Sequence, residues 1–195
     1  EEWGALYNAC VDDVRATVEY VESLRKRMEA CKDMVPEASS DYTAFADAGV
    51  FLAAVDRYFP NCVPIKIEIN KFSKGLGRAR SELHSLRTTS SLHPYVGDII
   101  PFVLLVGMYT LYNSEVLLTL KRSAITRQSV LGADRIRISA YKARSNADQT
   151  RSFAVDPAPE SLSSIIGFLD RWTERLRPVV PRDHVDRVFL FVPTT

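Results

Sequence analysis

The chain has 195 residues, 46% of them hydrophobic and 25% charged, enough for one well-buried core and too few for two large domains. Its 25 Lys and Arg nearly cancel 24 Asp and Glu, so a net charge of +1 announces no polyanion partner, and any nucleic-acid signal has to be local. Cys10, Cys31 and Cys62 are odd in number and widely spaced, and only three His accompany them. That pattern favours neither a disulfide framework nor a zinc site, and it predicts small core residues in a reducing, cytoplasmic setting. The longest apolar run, Ile99 to Leu111, is interrupted by Pro101 and is shorter than the roughly 20 residues a bilayer requires, which predicts a soluble protein without a membrane partner. The chain opens on Glu1-Glu2-Trp3 and stops at Pro193-Thr194-Thr195, just past an apolar run, and so reads as an excerpt of a longer polypeptide.

From Trp3 to Lys32 apolar residues recur at helical spacing (Leu6, Cys10, Val14, Val18, Val21, Leu24, Met28), with acids early and Arg25 to Arg27 late, as the helix dipole favours. Residues 33 to 43 carry Pro36, Ser39, Ser40 and Asp41 and read as a loop leading into a helix over 44 to 59, which Pro60, Asn61 and Pro64 end. Residues 65 to 69 fit strand and helix equally well, and the chain reads as helical from Asn70 to Arg87. Thr88 to Pro94 is polar punctuation. Tyr95 to Asn113 reads as a core helix, apolar nearly all round, and Ser114 to Leu120 as a second short helix.

The pattern then switches. Arg135 to Tyr141 and Arg151 to Val155 alternate with period two around turn residues 145 to 148, a β-hairpin. Ser161 to Arg177 is an amphipathic helix with Leu162, Ile165, Ile166, Leu169 and Trp172 inward, and Val188 to Val192 reads as a strand or a buried turn. The expected fold is one α+β domain over residues 1–195, mainly helical, with a small antiparallel sheet packed on helices.

The hairpin carries five cations (Arg135, Arg137, Lys142, Arg144, Arg151) against Asp134 and Asp148, and alternation predicts that several of the cations share the solvent face. Such a ribbon suits phosphate contact; it equally suits an edge hairpin kept soluble by charge. Lys71, Lys74, Arg78, Arg80 and Arg87 form a second cluster at near-helical spacing, open to the same two readings. His84 to Arg87 and His184 to Arg187 each give an H-x-x-R spacing, which on a helix places imidazole and guanidinium one turn apart. No G-x-S-x-G elbow, P-loop or G-x-G-x-x-G fingerprint is present, so hydrolase, NTPase and dehydrogenase readings have no support.

The run from Pro101 to Leu120, P-F-V-L-L-V-G-M-Y-T-L-Y-N-S-E-V-L-L-T-L, resembles the first conserved box of the tyrosine recombinases (phage integrases), in which an apolar helix ends at a T-G-x-R-x-S-E-like turn and a short helix with paired leucines follows. Arg135 to Val155 occupies the place of the family's hairpin, Ser161 to Pro178 that of the next helix, Asp186 to Phe191 that of the apolar segment beyond it, and residues 1 to 10 resemble the opening helix. The likeness skips residues 33 to 90, which read as a helical insertion. The resemblance implies the N-terminal half of a recombinase catalytic domain, acting on double-stranded DNA of phages or other mobile elements, with oligomers assembling on the DNA.

In the mechanism it implies, a tyrosine attacks the scissile phosphate, arginines and histidines stabilise the transition state, and a hairpin lysine protonates the leaving oxygen, with no metal and no nucleotide cofactor. Lys142 is the match to that lysine, with Arg144 its rival, and the implied DNA contacts are Arg135, Arg137, Arg144, Arg151, Lys121 and Arg122. Where the box's arginine belongs, this chain has Tyr112 followed by Asn113, and no guanidinium fork stands there. His84 to Arg87 precedes the box, and the second arginine box and the nucleophilic tyrosine belong beyond residue 195. The chain alone is therefore expected not to cleave DNA. The alternative is a non-catalytic helical scaffold that docks a partner through residues 3 to 32; an RNA-binding module would rest on the same cations alone.

Overall fold

The computed structural model describes residues 2–37, 47–60, 86–142 and 147–193. Helix α1 runs Glu2–Ala30 and buries Cys10, Val11, Val14, Val21 and Leu24, the stripe expected from its 3.6-residue period. A 3-10 turn, Lys32–Met34, ends it. Helix α2 spans Ala48–Tyr58 and is capped by Asp47, whose carboxylate accepts from the amides of Gly49 (2.7 Å) and Val50 (3.2 Å) while also pairing with Arg27 on α1. Gly49 is required by this close approach: a Cβ there would stand 2.9 Å from the Arg27 carbonyl oxygen and 2.9 Å from Cys31 Sγ.

Helix α3 is a single turn, Leu86–Thr89, and the polar stretch after it, expected as punctuation, is buried. Thr88 to His93 all lie inside, and Trp172 donates its indole N–H to the Ser90 carbonyl there at 2.6 Å. Helix α4, Val96–Thr110, begins where the Asp98 carboxylate accepts from the Tyr95 N–H at 3.0 Å and ends at Leu111 in the left-handed region (φ 56°). Helix α5, Ser114–Leu118, follows at once, with the Asn113 side chain accepting from Val116 N at 2.9 Å.

The expected hairpin is part of a larger sheet. Among the described residues the strands form one antiparallel meander in the order β1-β2-β3: β1 Ile125–Val130, β2 Ala133–Lys142 and β3 Ala147–Ala154. Strand β1 was not expected, since its only apolar residues, Ile125 and Val130, stand at its two ends. It joins β2 through a two-residue loop, Leu131-Gly132, with φ of 51° and 79°, the backbone that twists a tight hairpin correctly and that glycine adopts freely. Helix α6, Leu162–Trp172, is capped by Ser161 and buries Leu162, Ile165, Phe168, Leu169 and Trp172 against the sheet and α4; it stops at Trp172, short of the expected Arg177, and a 3-10 turn, Glu174–Leu176, continues the chain. The buried Val188 to Leu190 run belongs to no strand, although its flanks make isolated bridges, Lys121 with Arg187 and Tyr95 with Val192. The fold is α+β, mainly helical, as expected.

Among the described residues three clusters fill the core, the least of them Val35 with Val50, Ala53 and Ala54 of α2. The largest joins α1, α4, α6 and the inner face of the sheet, and at its centre Phe102 and Phe168 stack at 5.5 Å with Trp172 tilted against both. The second sets Phe51, Leu52 and Val55 of α2 on Leu24 and Leu92. The expected insertion at 33 to 90 thus has, in α2, a part that packs directly on α1, and Arg175 ties α2 to the end of α6 through Asp56 at 2.5 Å. The rest of that expectation, residues 38 to 46 and 61 to 85 with Lys71, Lys74, Arg78 and Arg80, lies outside the described residues, as does Cys62. Cys10 is a buried core thiol raised by that burial, and Cys31 is half-buried and free.

His93 is 1% exposed, and neither ring nitrogen has a hydrogen-bond partner among the described residues. Burial, reinforced by the nearby Arg175 guanidinium, lowers its pKa from 6.5 to about 4. The unfolded chain therefore binds the proton more readily, so this contribution to stability is complete above about pH 6.5 and is lost as pH falls toward 4, roughly 3 kcal/mol in all. Urea unfolding of the native chain and of His93→Leu between about pH 7 and about pH 4.5 is expected to show a shallower acid loss in the variant; parallel pH profiles would contradict the assignment.

Candidate nucleic-acid interface

Pairing register decides which cations share a face. Ile125, Arg127, Ile136, Ile138, Phe153 and Arg151 lie in register on the inner face, toward the helices, while Thr126, Gln128, Arg135, Arg137, Ser139, Thr150 and Ser152 lie on the outer face. Ile136 and Ile138 are buried, and Arg137 across the pleat is exposed. The outer face is thus a polar surface, with Arg135 and Arg137 about 7 Å apart along one strand. Arg135 is anchored across the sheet, its Nε donating to Ser152 Oγ at 2.8 Å and another guanidinium nitrogen to the Ser152 carbonyl at 2.9 Å. Arg137 has no partner among the described residues, which leaves its fork available.

The other expected contacts distribute differently. Arg151 pairs in register with Ile138 and so belongs to the inner face, apart from Arg135 and Arg137; from the edge strand it still reaches solvent. Arg122 is committed to Asp170 through two bonds, 2.5 and 3.1 Å, and is half-buried, so it braces α6 and is not free for a phosphate. Lys121 is exposed on a groove of about 390 Å³ between α5 and the end of β2, whose other walls include Asn113, Thr119, Ser139 and Tyr141. Lys142 is the last residue of β2, paired with Ala147; its side chain, and Arg144 entirely, lie outside the described residues. Arg127, which the sequence reading passed over with its strand, stands exposed on the inner side of β1.

Of the two H-x-x-R spacings, the described residues cover only the second, and it lies on no helix. His84 and the Arg87 side chain fall outside the described residues, and His184 to Arg187 lies in consecutive turns, with His184 N–H bonded to Pro181 O and Arg187 N–H to His184 O. His184 sits 3.3 Å from the Asp183 carboxylate, while the Arg187 guanidinium approaches the Leu118 carbonyl.

Tyr112, which stands where the resemblance expects an arginine, is 7% exposed and lies under the sheet, its hydroxyl 3.0 Å from the Gln149 carbonyl oxygen and 3.2 Å from that of Ile138. It fastens β2 and β3 to the end of α4. Burial raises its pKa against the pull of Arg151, and burial together with Tyr7 raises that of Tyr109, which donates to Glu160 O at 2.9 Å. Neither phenol is poised to ionise as a nucleophile near neutral pH. Among the described residues no three His, Cys, Asp or Glu side chains converge on a metal position, and no helix is long and apolar enough to cross a membrane. The outer face thus carries Arg135 and Arg137 among hydroxyl and amide side chains.

Tyr112→Phe keeps the ring and deletes the hydroxyl, leaving two carbonyl oxygens without this donor. A loss of about 1 to 2 kcal/mol in urea unfolding is expected, and an unchanged midpoint would contradict the fastening role. Neither a family model, nor a curated protein, nor a solved structure matches the chain.

Proposed function

We propose that this chain is the DNA-contacting N-terminal half of a tyrosine-recombinase catalytic domain, and that it grips duplex DNA with the outer face of its sheet. The observation that carries the reading is the one-sided sheet: helices cover Ile136 and Ile138, while the opposite face offers Arg135, Arg137 and a row of hydroxyl and amide groups to solvent. Guanidinium forks and hydroxyls on a rigid ribbon suit phosphate contact, which positions a protein on DNA. The order of elements supports the family assignment: an apolar helix, a left-handed turn at Leu111, a short helix, a basic hairpin, then an amphipathic helix, in the sequence that the box resemblance implies. Lys142 would act as the proton donor of that chemistry, at the end of β2. The reading assigns DNA binding to this chain and gives strand cleavage no nucleophile among its described residues.

A second reading, a protein-interaction scaffold, is favoured by the exposed Trp3, Leu6 and Tyr7 on the first turns of α1. Fluorescence anisotropy of a labelled duplex at low and moderate salt separates the two. Salt-sensitive binding is expected at low ionic strength, and the double variant Arg137→Glu with Lys121→Glu is expected to weaken it at least about tenfold and to reduce the salt slope by about 2. Both side chains are exposed, so the fold should survive, as circular dichroism would verify. No binding at low salt, or equal binding by the variant, would overturn the DNA reading.

A further inference from the structure

On the other side of the sheet from Arg135 and Arg137, a cleft of about 450 Å³ opens between β1 and α6. Its walls are Ile125 and Arg127 of β1, Ile136 behind them, Ser163, Ile166, Gly167 and Asp170 of α6, and Val188 with Asp186 from the last segment, closed by Arg122 and Arg177. We propose that this cleft binds a small carboxylic acid, its carboxylate among the arginines and its apolar body against Ile125, Ile166 and Val188. The site is independent of the DNA reading and lies within the size range of small-molecule pockets.

Charge accounts for the anion. Three guanidinium groups face two carboxylates, and both carboxylates are already engaged. Asp170 takes Arg122 at 2.5 Å and Arg177 at 3.3 Å, and Asp186 accepts from the hydroxyl and the amide of Ser123. Arg127 has no partner among the described residues, and the cleft is left with an excess of one positive charge, which a single carboxylate balances. A second observation agrees. Arg177 is 8% exposed; its terminal nitrogens donate to Val185 O, Arg187 O, Thr173 Oγ1 and Asp170, yet its buried Nε–H has no acceptor among the described residues. A buried donor without a partner is costly, and an oxyanion is the acceptor a guanidinium fits best.

The test is an NMR titration of the full chain with benzoate, following the amides of Ile125 and Gly167 and the Nε–H signals of Arg127 and Arg177. Saturable shifts at all four with a Kd near about 1 mM are expected, with benzyl alcohol leaving them in place. Arg127→Ala is expected to weaken binding about tenfold and Arg127→Glu to abolish it, both with the native thermal midpoint. Absence of saturable shifts, equal shifts with benzyl alcohol, or benzoate affinity unchanged in both variants would overturn the proposal. Inorganic phosphate competing as well as benzoate would overturn its assignment to a singly charged carboxylate.

Discussion

The contact on which the rest of the molecule depends is the aromatic cluster of Phe102, Phe168 and Trp172. It joins α4 to α6, and α6 is the element on which the sheet lies, so the cluster sets where the sheet can sit relative to the long first helix. Rings this large supply much of a core's buried area, and truncating one of them typically costs about 3 to 5 kcal/mol. Trp172 extends the cluster's reach through its indole N–H. Burying that donor requires an acceptor, and the one it uses, the Ser90 carbonyl, belongs to the buried residues 88 to 93, His93 among them.

A sheet resting on α6 has one covered face and one open face, and the two carry different chemistry. The covered side needs Ile136 and Ile138; at its β1 margin, where the apolar cover runs out, Arg127 and Arg177 border a cleft. The open side keeps its cross-strand partners polar, with Ser139 and Thr150 hydroxyls 3.2 Å apart and Arg135 braced on Ser152. Bracing matters for recognition, because a guanidinium held in place loses less freedom when it meets a phosphate. Tyr112 contributes from beneath by tying β2 and β3 to the end of α4, and so serves the rigidity of the surface.

Much of this was legible in the sequence wherever one periodicity ran unbroken. The stripe from Cys10 to Leu24 specified α1, Ser161 with the spacing of Leu162, Ile165 and Leu169 specified α6, and the alternation of Arg135 to Tyr141 specified β2. Strand β1 escaped because Thr126 to Ser129 bury nothing: an edge strand held by backbone bonds leaves little side-chain pattern. The Leu131-Gly132 pair was a turn signal, weakened by a leucine where glycine or asparagine is usual. Residues 88 to 93 looked like surface because the tryptophan that meets them lies some 80 residues further on.

The candidate interface was legible in composition and less so in geometry. Alternation within each strand splits its cations into two sets, but only the pairing register, Arg137 opposite Ser152 and Arg151 opposite Ile138, says which sets coincide. The partner of Arg122 lies on another element, so its removal from the pool of free cations had no local signature.

The central claim, that the open face of the sheet meets DNA, is tested most directly by the side-chain Nε–H spectrum of the arginines during titration with a short duplex at low ionic strength. The account predicts that Arg137 and Arg135 shift together and saturate while Arg122 and Arg177 stay in place. Shifts confined to Arg122 and Arg177, or a spectrum that DNA leaves unchanged, would contradict it.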